Sequence, residues 1–104
     1  MTDNIFQLPS NLPNEEVFEA IVQRDRVLIE RIISTGQTTL PGDWYDQERD
    51  EWVIVLQGEA QLAYDDSTTI DLSAGDYLLI PAHQKHRVAY TSSDPSCIWL
   101  AVHF

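Results

Sequence analysis

The run Glu51-Trp52-Val53-Ile54-Val55-Leu56-Gln57 ends at Gly58 and is entered from a loop that packs Asp43, Asp46, Glu48 and Asp50 around a single Arg49. β-Branched and aromatic residues closed by a glycine read as a strand bounded by a turn. The charge beside it must be solvated, paired or used to hold a cation. Side chains alternate along a strand, so an inward Glu51 takes Val53 and Val55 with it and turns Trp52, Ile54 and Leu56 outward. That outward stripe has no cover elsewhere in the chain, which points to a homodimer.

The other segments are of the same kind. Pro9, Pro13 and three asparagines make residues 1–14 an irregular lead-in. Glu16 to Arg24 reads as a strand, with one short helix as the competing pattern, and Val27 to Ser34 follows as its hairpin partner. Beyond Gly58, Glu59 to Tyr64, Thr68 to Leu72, His86 to Thr91 and Cys97 to Phe104 alternate or run apolar, with turns at Asp65-Asp66-Ser67, Ser73 to Asp76 and Ser92 to Pro95. Tyr77 to Ile80 reads as a buried run closed by Pro81. Short strands at this spacing predict an all-β antiparallel sandwich or barrel, and 104 residues allow one domain, 1–104.

Composition removes several function classes. The net charge is −11 and the six basic residues are scattered, so no basic stripe is available for phosphates and nucleic acid is not an expected partner. No apolar run approaches the roughly 20 residues that cross a bilayer, and the N-terminus lacks the features of a secretory signal, so no membrane association and a cytoplasmic location are expected. The one cysteine, Cys97, sits beside Ile98 and Trp99 and reads as a buried thiol.

Two stretches resemble the paired motifs of the cupin family. Glu51 and Gly58 keep the glutamate and glycine of the first motif, seven residues apart, and Gly75, Pro81 and His86 fall at the glycine, proline and histidine of the second. His83 stands where the second motif has a glycine. The two histidines of the first motif are replaced by Tyr45 and Gln47, or by Trp44 and Asp46 if the loop is one residue longer. The resemblance implies a jelly-roll barrel and a ligand set pointing into it. Here that set would be Asp46, Gln47, Glu51 and His86, holding a divalent ion such as manganese, iron, nickel or zinc.

Three functions follow as expectations. One is a metal-assisted small-molecule enzyme of isomerase or dioxygenase type, with Glu51 or His86 moving a proton. Another is a module that binds a small polar ligand without turnover. The third is a dimeric barrel with a packed core. In the first two, Trp44, Tyr45 and His83 would line the mouth, and Tyr90 would share the inward face of its strand with His86 and Val88. His103 has no partner identifiable by spacing.

Overall fold

A computed structural model describes residues 1–104 and contains eight strands and no helix. They are β1 (Val17–Arg24), β2 (Val27–Ser34), β3 (Glu51–Gln57), β4 (Glu59–Tyr64), β5 (Thr69–Ser73), β6 (Tyr77–Ile80), β7 (His86–Thr91) and β8 (Cys97–His103). One sheet has the order β1-β2-β8-β3-β6 and the other β5-β4-β7, and every neighbouring pair is antiparallel. This is a jelly roll. Glu16 to Arg24 resolves as strand rather than helix, because β1 pairs with β2 along its whole length.

Register decides what faces the interior. On β3, Glu51, Val53 and Val55 are buried while Trp52, Ile54 and Leu56 are half-buried, the alternation expected of a strand with one face on the core. β8 lies beside β3 with Trp99 opposite Val55, Ala101 opposite Val53 and His103 opposite Glu51. Directly paired residues share a face, so His103 points inward in line with Trp99 and Ala101. On β2, Glu30 pairs with Ala101 and Ile32 with Trp99, which brings Glu30 to the same interior. The core between the sheets is Ile32, Val53, Val55, Ala60, Leu62, Leu72, Ile80, Cys97, Trp99 and Ala101.

The outer face is covered unevenly. Arg31 donates from Nη1 to the Ile5 and Gln7 carbonyls at 3.0 and 2.8 Å and pairs with Glu19 at 2.9 Å, so the irregular lead-in is tied across β1 and β2. Nothing similar covers β3 and β6. Trp52 lies opposite Val102 and Leu79, and Ile54 opposite Leu100 and Tyr77, which forms a continuous apolar surface over three strands. Tyr77 to Ile80 is therefore not the buried run its composition suggests. β6 is an edge strand with one solvent face, so Ile80 is buried while Tyr77, tilted against Trp52 at 5.5 Å, is 65% exposed.

The acidic loop closes the free edge of β7. Tyr45 and His86 exchange backbone hydrogen bonds of 2.7 and 3.2 Å, and the Thr39 amide donates to the Val88 carbonyl at 2.9 Å. The His83 amide donates to the Gln47 carbonyl at 2.8 Å. These bonds fix the loop as one wall of the barrel.

A side-chain chain braces the opposite wall. The Trp99 indole donates to Ser34 Oγ at 3.1 Å, and Ser34 Oγ in turn bonds the Glu16 carboxylate. Ser34→Ala removes a partner from two groups at once. Leaving a buried donor unpaired costs about 1–3 kcal/mol, so a loss of that size in chemical denaturation, with the slope unchanged, is the expected result.

Candidate functional site

Between the sheets, at the end of the barrel where β1 and the acidic loop approach each other, lies a cavity of about 60 Å³. Its polar lining is Glu16, Glu30, Gln47, Glu51, His86 and His103, set among Tyr45, Trp99 and aliphatic side chains, with Phe18 half-exposed among them. No lysine or arginine lines it.

Glu51 and His86 are the buried pair at its centre, 8% and 4% exposed. The His86 Nδ1 lies 2.9 Å from the Gln84 carbonyl oxygen, which can only accept, so Nδ1 carries the proton of the neutral ring and Nε2 is left with its lone pair. Nε2 faces Glu51 Oε1 at 3.8 Å, beyond hydrogen-bond reach. Glu51 therefore lines the cavity with no hydrogen bond to any protein group. Burial raises its pKa, a nearby Glu30 adds to the rise, and His103 and His86 oppose it.

A second imidazole and carboxylate stand beside the first pair. His103 Nε2 donates to Glu30 Oε1 at 2.8 Å, both side chains being nearly buried. Glu16, bonded to Ser34, also has its pKa raised by burial. The Tyr45 ring stacks on His86 with centroids 5.5 Å apart, and its hydroxyl pKa is raised first by burial and next by Glu16. Cys97 is fully buried, and desolvation followed by the nearby Glu16 charge pushes its thiol up to about 12, which removes it from nucleophilic chemistry.

A family model described as cupin domain matches residues 32–103. The chain belongs to the cupin family. A crystal structure from Ralstonia eutropha JMP134, provisionally described as a mannose-6-phosphate isomerase, is 42% identical, with 99% of this chain and 96% of that one covered at a TM-score of 0.90. A cupin superfamily protein from Desulfitobacterium hafniense DCB-2 is 26% identical, covering 92% of this chain and 83% of that one at a TM-score of 0.76. An RmlC-like cupin from Methanocaldococcus jannaschii with a double-stranded β-helix fold shares the architecture at 18% identity and a TM-score of 0.72, with 99% of this chain and 91% of that one covered. A comparison with curated proteins finds no match.

The cupin motif positions divide in two. Glu51, His86, Gln47 and Tyr45 line the cavity. Asp46, Trp44, His83 and Tyr90 do not. Asp46 pairs with His83 Nδ1 at 2.8 Å on the exposed rim, and the Trp44 ring lies 5.9 Å from the Arg87 guanidinium. His83 occupies the glycine position of the second motif in the left-handed conformation, φ 64°, which explains why that position usually holds glycine. Tyr90 leaves the inward face because Leu62 pairs with Val88 while the next residue back, Gln61, pairs with Tyr90. Ala89 is thus the extra residue of a β-bulge, which reverses the parity beyond it.

Cupins commonly hold a divalent ion, and the chain's donors can be tested against one. Of the four proposed ligands, Asp46 is engaged with His83 at the rim, and no three or more histidine, cysteine, aspartate or glutamate side chains are placed to hold an ion. His103, which could replace a missing imidazole, spends Nε2 on Glu30. Two free charged or imidazole donors, Glu51 and His86, do not fit a resident metal centre as arranged.

Proposed function

We propose that this cupin binds a small polar molecule in the barrel and that Glu51 and His86 move a proton on it. The observation that carries this reading is the Glu51 carboxylate, buried, free of protein hydrogen bonds and 3.8 Å from the His86 Nε2 lone pair. Burial disfavours the ionised carboxylate, and the fold keeps it lining a cavity where a ligand can supply a donor. A carboxylate with a raised pKa beside an imidazole can take a proton from one position of a bound molecule and return it at another. That is isomerase-type chemistry, the class attributed provisionally to the 42% identical Ralstonia eutropha protein. Binding without turnover is the second reading, favoured by the small cavity of about 60 Å³.

The two readings separate on His86→Ala. Under the first, the variant stays folded and turns nothing over on any substrate the parent converts. Under the second, the parent itself turns nothing over while still binding. The dioxygenase alternative needs an ion, for which the donors here are Glu51, His86 and Gln47. Titrating manganese, iron, nickel and zinc into chelator-stripped protein is expected to give no stoichiometric binding. A tight, His86-dependent site for any of the four would restore the metalloenzyme reading.

The outer apolar face supports a homodimer. Trp52, Ile54, Leu100 and Val102 join the exposed Tyr77 and Leu79 over β8, β3 and β6, and surfaces of this kind mark interfaces. Sedimentation at micromolar concentration should give a dimer, and Leu79→Glu with Tyr77→Lys should give a monomer. A monomeric parent would remove the proposal.

A further inference from the structure

We infer that the barrel cavity selects a small organic cation carrying N–H donors, such as a protonated amine, and rejects phosphate esters and carboxylates. The inference names the ligand class of the proposed binding site and rests on that proposal. Its warrant is the sign of the charges that face inward. Three carboxylates, Glu16, Glu30 and Glu51, line the cavity, and no arginine or lysine joins them. The basic side chains are engaged elsewhere or lie outside it: Arg31 on Glu19 across the outer face, Arg24 on the Gln23 carbonyl, and Arg87 over Trp44.

Charge alone does not make a ligand site, and the hydrogen bonds provide the second observation. Glu16 has Ser34 and Glu30 has His103, but Glu51, 8% exposed, has no donor from the protein. The nearest ring atom, His86 Nε2, is itself an acceptor because Nδ1 holds the proton against Gln84. Two acceptors therefore face one space 3.8 Å apart, neither donating to the other. An ammonium group donates to both and cancels the carboxylate charge. Tyr45 and Trp99, which also line the cavity, offer the aromatic faces that organic cations prefer.

A phosphate ester meets the opposite conditions. Its two negative charges would enter a space lined by three carboxylates with no arginine or lysine, where of the two imidazoles His103 already holds Glu30. This chain therefore departs from the phosphosugar class in the description of its 42% identical relative.

An isosteric probe series tests the inference: 1-amino-2-propanol, propane-1,2-diol and lactate, with glycerol phosphate as the phosphate ester, each titrated into the full chain and followed by the imidazole and indole NMR signals of His86, His103 and Trp99. The amine is expected to bind at least about tenfold more tightly than the diol, since both can donate to the carboxylate but only the ammonium adds the attraction of an opposite charge. Neither lactate nor glycerol phosphate should saturate. Glu51→Gln should weaken the amine at least about tenfold and the diol by clearly less, because both lose an ionised acceptor but only the cation also loses its counter-charge. Lactate or glycerol phosphate binding as tightly as the amine overturns the charge inference and leaves the cavity as a ligand site. Equal affinity of the amine for parent and Glu51→Gln also overturns it. If no probe moves any of the three signals, the inference and the proposed binding function both fall.

Discussion

Gly58→Ala should lower the melting temperature by at least about 8 °C, the largest effect expected of any single methyl group in this chain. Gly58 joins β3 to β4 with φ +82°, a conformation that costs a side-chain-bearing residue about 1–3 kcal/mol. An added Cβ would also clash with Ser92 Oγ and stand 3.0 Å from both the Cys97 Cα and the Ser96 carbonyl oxygen. The serine oxygen can rotate, but only by giving up its bond to the Glu59 amide at 3.0 Å. The two backbone atoms cannot move without shifting β8, and overpacking of this kind costs a further 1–3 kcal/mol or so. At roughly 4–8 °C per kcal/mol for a domain of this size, the sum gives the stated fall. Gly75→Ala is the control. It shares the positive φ, +94°, but its Cβ would meet nothing within 4 Å, so it should lose only the conformational part.

The second large effect has the opposite sign. Glu51→Gln is expected to stabilise the protein above neutral pH, because the variant no longer holds a charge that burial disfavours, while weakening ligand binding. The folded-state pKa of Glu51 is raised above the ordinary 4.5, chiefly by burial. Between the ordinary and the raised value the native chain holds a proton that the unfolded chain has released, so stability is greatest below 4.5 and is lost as pH rises through the raised value. Glu16, also raised by burial, works in the same direction. Denaturation of parent and variant should therefore agree near pH 4 and separate as pH increases. Parallel curves across that range would mean that Glu51 has equal proton affinity in the folded and unfolded chain. Stability gained by deleting a side chain is a sign that the side chain is retained for function.

The antiparallel β fold could be read from the chain because it rests on parity and turn chemistry, and the cupin motif resemblance pointed to half of the candidate site. The alternation through Glu51, Val53 and Val55, the glycine at 58 and the Gly75 to His86 spacing each state a local geometry that the structure repeats. Glu16, Glu30 and His103 were not assigned to the site, since their meaning depends on which strands become neighbours. The signal existed in part. His103 has the parity of Trp99 and Ala101, and Glu30 that of Ile32, so inward positions followed once β8 was placed between β2 and β3. Tyr90 could not be placed by parity at all, because one unpaired alanine reverses the alternation of β7. Tyr77 and Leu79 misled for a related reason: apolar composition does not distinguish a buried strand from an edge strand whose outer face joins an apolar surface.

The central claim is that Glu51 and His86 form an open acceptor pair facing a ligand space, not a closed structural contact. Long-range ¹H–¹⁵N correlation of the His86 ring tests it most directly, because the two nitrogens report separately. The neutral ring is expected to be protonated on Nδ1, bonded to the Gln84 carbonyl, and the Nε2 resonance to move when a hydrogen-bond donor enters the cavity while Nδ1 does not. A neutral ring protonated on Nε2, donating to Glu51, would contradict it, as would an Nε2 signal indifferent to every probe that binds.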